Sequence, residues 1–175
     1  MSNNLGGNKF VRSEFYEKLN IYFFSTNNNI IENIFDIAIS ERLFNVKIIE
    51  LCERVLSRRF TYLTKVTALD YIAILHKKID KNTFIRLNQI HFKSQNDILK
   101  FQSIINLMIY DYYLYEKSIG KMLNKTDYPT LFYRLRNNLE NFPKSKKSQL
   151  NIILLNSLKD KKFSDDVKND FFRNI

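Results

Sequence analysis

The chain has 175 residues, 45% of them hydrophobic, with 15 Phe, 10 Tyr and no Trp, enough apolar material for one packed domain and too much for global disorder. Three Gly and two Pro supply too few turn formers for sandwiches, barrels or glycine-rich nucleotide loops, so an all-α fold is expected. The net charge of +10 suits an acidic partner, nucleic acid included, but it is split as +4 over residues 1–90 (13 basic, 9 acidic) and +6 over residues 91–175 (15 basic, 9 acidic), so no basic arm stands out.

Residues 1–10 are polar and read as disordered. A first helix is expected over 11–24, where Phe15, Leu19, Tyr22 and Phe23 share a face. The Asn27-Asn28-Asn29 run interrupts it, and a second helix follows over 29–43 with Asn28 or Asn29 as N-cap. Residues 47–58 alternate Ile48, Leu51, Cys52, Val55 and Leu56 with charged residues, an amphipathic third helix. Two segments, 66–75 and 98–114, are apolar almost all round, as helices surrounded by others must be. Residues 82–93 between them read as a helical turn plus a loop. Asp127 and Pro129 mark a helix start and Pro143 follows its end, giving a helix over 130–142. The Lys144, Lys146 and Lys147 cluster reads as a solvated loop. In the tail beyond it, Phe163, Val167, Phe171 and Phe172 recur at near-helical spacing, ready to dock on the body or on a partner.

The longest apolar run, Phe101 to Tyr110, is too short to cross a bilayer, and the N-terminus carries no apolar signal core. With Cys52 the single cysteine, no internal disulfide can form, and an intracellular location, cytoplasm or nucleus, is expected. No phosphate loop, dinucleotide fingerprint, nucleophile elbow or metal-ligand spacing occurs, so neither catalytic residues nor a cofactor or metal is expected. His76 and His91 have no convincing partner in sequence. Tyr110, Tyr112, Tyr113 and Tyr115 suit base stacking, but tyrosines beside a buried helix more often bury the ring and wet the hydroxyl.

The local sequences carry a resemblance. ALDYIAILHKK at 68–78 looks like the second cyclin-box helix of the P-type (PHO-type) cyclins, and IINLMIYDYYLYE at 104–116 is similar to the third. A short fourth helix follows near 119–123, and TLFYRLRNNL at 130–139 resembles the fifth. The resemblance covers about residues 47–142. It implies a five-helix bundle around a central buried helix, with extra N-terminal helices over 11–45 and a basic loop and helical tail over 143–175. It also implies a regulatory subunit that binds and activates a cyclin-dependent protein kinase and has no catalytic residues of its own.

Cyclins of this family dock the kinase through the third and fifth helices, where most carry a Lys facing a Glu. Asp111 stands at or next to the Lys position and Arg136 at the Glu position, so the expectation is either a pair of exchanged polarity or two independently solvated charges. The implied kinase-facing residues are Asp111, Tyr115, Glu116, Lys117, Tyr133 and Arg136, with Tyr115 and Arg136 as the anchors. The alternative is a basic α-helical RNA- or DNA-associated protein such as an organellar ribosomal subunit, and a helical viral or apoptotic regulator with a peptide groove also fits the composition.

Overall fold

The computed structural model describes residues 5–159 and 161–173, which form ten α-helices and two short 3-10 turns, with no strand among them. The helices are α1 (Leu5–Tyr22), α2 (Asn28–Ser40), α3 (Val46–Ser57), α4 (Tyr62–Ile74), α5 (Lys81–Gln89), α6 (Asp97–Met108), α7 (Tyr112–Lys125), α8 (Pro129–Asn138), α9 (Lys144–Lys159) and α10 (Asp165–Arg173). The all-α class expected from the scarcity of Gly and Pro is what forms. The segment expected to be disordered is divided: residues 5–10 belong to α1, and residues 1–4 lie outside the described residues.

Short polar side chains set most of the helix starts. Asn27, Asn45, Thr61, Asp80, Asn96 and Asp111 each take the N-cap and accept backbone N–H groups of the first turn. At α2 the cap is Asn27 rather than Asn28 or Asn29, its Oδ1 lying 3.0 Å from the Asn29 amide. The displaced Asn28 reaches across to the start of α4. There its Oδ1 accepts from the Thr61 amide at 3.0 Å and from Thr64 Oγ1 at 2.7 Å, pinning the two helices together.

Several expected boundaries move. The apolar run 98–114 is two helices, because the chain turns at Ile109–Asp111 through i→i−3 hydrogen bonds from Ile109 to Asn106 and from Tyr110 to Leu107. Asp111 then caps α7, a position an aspartate satisfies better than a helix interior. The short helix expected near 119–123 is the middle of α7, and the turn-plus-loop expected at 82–93 is the nine-residue α5 followed by a turn. Pro143 is followed at once by α9, so the lysine cluster read as a loop forms a first helical turn, with Lys146 and Lys147 amides both 2.9 Å from the Pro143 carbonyl.

Two apolar clusters result. One gathers Phe15 and Leu19 of α1, Ile31 and Phe35 of α2, the inner faces of α3, α4 and α5, and Leu99 of α6. The other gathers Phe101, Ile104, Ile105 and Met108 of α6 with the inner faces of α7, α8 and α9 and Phe171 of α10. Helix α4 packs against α2, α3 and α6, while α6 packs against α4, α5, α7 and α8. The N-terminal helices and the tail therefore pack onto the segment 46–142, and α6 contributes to both clusters. Burying a large apolar side chain stabilises by about 1.5–3 kcal/mol, so fully buried Tyr71, Phe35, Phe84, Phe101 and Phe132 are strong contributors. Tyr71 also donates its hydroxyl to the Leu43 carbonyl at 2.9 Å, which keeps the buried phenol satisfied.

Candidate functional site

The six residues expected to face a kinase fall into two sets with different neighbours. Asp111, Tyr115, Glu116 and Lys117 belong to α7 and its cap, and Tyr133 and Arg136 belong to α8. The exchanged Asp111–Arg136 pair does not form. Asp111 Oδ1 accepts the Leu114 amide at 3.2 Å, and Arg136 Nη1 lies 2.9 Å from Asp170 Oδ2 of α10. The reason is the turn at 109–111, which makes Asp111 a cap instead of a residue on the face of a continuous helix.

Arg136 and Tyr133 are engaged within the chain. The guanidinium stands 4.9 Å from the Tyr133 ring centroid and 5.1 Å from that of Phe171, and the Tyr133 and Phe171 rings are 4.5 Å apart. Partial burial, then the Asp170 carboxylate, raises the Tyr133 pKa. Phe171 is fully buried, and Phe132 packs edge-on to both Phe163 and Phe171. The aromatic spacing noted in the tail is thus a docking face for α8, with Phe172 left 55% exposed.

On α7, Tyr115 packs edge-on to Phe92 at 5.7 Å and is half-buried, which makes it a packing residue rather than an exposed anchor. Glu116 and Lys117 line a groove of about 390 Å³ between α7 and α9, floored by Tyr112, Gly120, Ile152 and Ile153. Burial, then the neighbouring Glu116 carboxylate, pushes the Tyr112 pKa up to about 12. Beside the groove Tyr113 is 69% exposed, and Ile152, which lines it from α9, is 58% exposed; Leu114, 63% exposed, lies about 200° round α7 from Tyr112 and faces away from the groove. Lys146 of α9 sits over the Tyr112 and Tyr113 rings, at 4.5 Å and 3.6 Å from the centroids. Ile152 carries no signal of its exposure in the sequence, because it continues an apolar run and only the path of α9 reveals that it points to water.

A second concavity, about 1170 Å³, lies between the ends of α2, α4 and α8. Its floor holds Asp70 and Arg134, with Arg134 Nη1 3.2 Å from both carboxylate oxygens and 2.9 Å from Gln102 Oε1. From there a buried polar chain runs inward. Gln102 Nε2 donates to Asn106 Oδ1 and Asn138 Oδ1, and Asn106 Nδ2 donates to Asn88 Oδ1 and the Leu69 carbonyl. The chain ties α4, α5, α6 and α8 together, and its members satisfy one another as buried amides must. Desolvation raises the Asp70 pKa against the opposing pull of Arg134. A third cleft, about 600 Å³, is bordered by Phe92, Asp97 and Lys93, Lys100, Lys121 and Lys125.

Neither histidine joins a cluster of acid–base groups. His76 Nδ1 contacts the Ala73 carbonyl at 2.8 Å and His91 Nε2 the Leu56 carbonyl at 3.0 Å. Burial, then the charge of Lys65, lowers the His91 pKa. Cys52 is buried and burial raises its thiol pKa well above the ordinary value, away from the thiolate that nucleophilic chemistry needs. Among the described residues no group of three or more His, Cys, Asp or Glu could hold a metal ion, and no helix is long and apolar enough to cross a membrane. No family model, curated protein or solved structure matches this chain.

Proposed function

We propose that this chain is a regulatory subunit that binds and activates a protein kinase of the cyclin-dependent class, docking it through the α7–α9 face. The observation that carries the reading is the juxtaposition, at one groove, of exposed Ile152 with Glu116 and Lys117, with exposed Tyr113 beside them under Lys146. An amphipathic partner helix is what such a groove accepts: apolar residues enter it while one acidic and one basic side chain on the rim meet opposite charges on the incoming helix. The sequence resemblance over 47–142 names the partner class, since a kinase's regulatory helix is amphipathic. The docking set is therefore redrawn. Tyr133 and Arg136 are engaged by α10, Asp111 and Tyr115 serve the fold, and Tyr113 and Ile152 join Glu116 and Lys117.

The test is a tagged pull-down from the source cells, with and without nuclease, comparing the wild type with Tyr113→Ala and Ile152→Glu. Both positions are exposed, so the fold is expected to be retained. A kinase of this class should appear at near-equal amount, be indifferent to nuclease, and be reduced more than about tenfold in both variants. Recovery of ribosomal proteins or nucleic acid that disappears on nuclease treatment, or equal kinase recovery with the variants, overturns the reading.

A further inference from the structure

The larger concavity has an uneven charge distribution. Arg134 is neutralised by Asp70, and Glu140 by Lys147 of α9. What is left along the α2 and α4 side is Arg42, Lys77 and Lys78, all exposed and none in an ion pair among the described residues. The α8 side contributes the amides Asn137 and Asn141, and Ile74, 40% exposed, supplies apolar surface.

Arg42 is held there at a cost. Helix α2 closes with a Schellman motif, in which the Leu43 amide donates to the Ala38 carbonyl at 2.8 Å and the Arg42 amide to the Ile39 carbonyl at 3.1 Å. That motif places Arg42 at φ 49°, the one positive φ among the described non-glycine residues, at a position where glycine is the usual occupant. A strained arginine in a glycine position, at the lip of a groove with two more unpaired cations, points to a use for its guanidinium.

We propose that this groove binds an acidic, extended segment of a partner protein, with Arg42, Lys77 and Lys78 receiving its carboxylates and the Asn137 and Asn141 amides available to its backbone. The volume exceeds what a single small anion fills and is above the usual range for small-molecule pockets. The three cations sit on one side, facing amides rather than more cations, which favours a peptide with acidic side chains over a nucleic-acid backbone carrying charge along its whole length. This surface is formed by residues other than those of the α7–α9 face and does not depend on the kinase reading.

The test uses the full chain and fluorescence anisotropy with a labelled peptide of about ten residues alternating glutamate and leucine. The wild type should bind it, and the matching lysine–leucine peptide should not bind. Arg42→Gly should weaken binding about tenfold while its melting temperature stays level or rises by about 2 °C, because glycine relieves the left-handed strain. Lys77→Gln with Lys78→Gln, on the exposed turn, should weaken binding without touching that motif. No binding by the wild type, or affinity unchanged in either variant, overturns the proposal. So does a single-stranded RNA oligonucleotide or inorganic phosphate that binds with greater Arg42-dependent affinity than the peptide.

Discussion

Asp111 and Arg136 look like a pair in the sequence, yet each is committed elsewhere: Asp111 to the first turn of α7, Arg136 to Asp170 and two aromatic rings. Asp111→Ala should therefore cost about 1 kcal/mol of stability, the value of a helix cap. In chemical denaturation, charge reversal at Asp111 and Arg136 together should show no mutual rescue. Arg136→Asp combined with Asp170→Arg should recover part of the loss of each single variant, and a null coupling there would remove the ion pair from consideration. His91 gives a pH dependence at the same scale. Its folded pKa lies below the unfolded value of about 6.5, so the unfolded state takes up more protons as pH falls. The neutral-ring contribution is full above about pH 6.5 and is lost as pH falls from there through the lower folded pKa. Stability measured from pH 7.5 to pH 5 should decline, and the decline should be shallower in His91→Gln.

At the scale of elements, apolar spacing places the starts of α2, α3, α5 and α6 within a residue or two, and Pro129 does the same for α8, while the one cap sought in the sequence, that of α2, falls on Asn27 instead of its neighbours. The ends were harder to place. The division of 98–114 into α6 and α7 turns on Asp111 taking a cap position, and on Tyr110 packing edge-on to Phe84 at 4.9 Å and donating to the His76 carbonyl. Those partners are 26 and 34 residues away and leave no periodic trace. The tail helix was legible as an aromatic spacing but not as an occupant of α8, because Phe171 has no local reason to prefer Phe132 and Tyr133. Phe171→Ala should release α10, cost about 3 kcal/mol and accelerate tryptic cleavage at Lys161 and Lys162. Unchanged cleavage would show that α10 is held by other contacts. Arg42 was the least legible of all: a left-handed arginine after α2 carries none of the glycine signal by which such caps are recognised.

For the whole molecule, composition settled the all-helical class, whereas the groove between α7 and α9 came from how helices with no periodic link stack. Two apolar clusters meet at α6, and the Asp70–Arg134–Gln102–Asn106–Asn88 chain crosses between them. The order in which the ribosome delivers these parts matters. Every fully committed member of the first cluster lies between Phe15 and Leu99, so that cluster is complete in sequence before most of the second has been made. Domains emerging N-terminal first can consolidate as units. Helix α6 is then born with one side already housed, and with Phe101, Ile104, Ile105 and Met108 presented as a template on which α7 to α10 assemble.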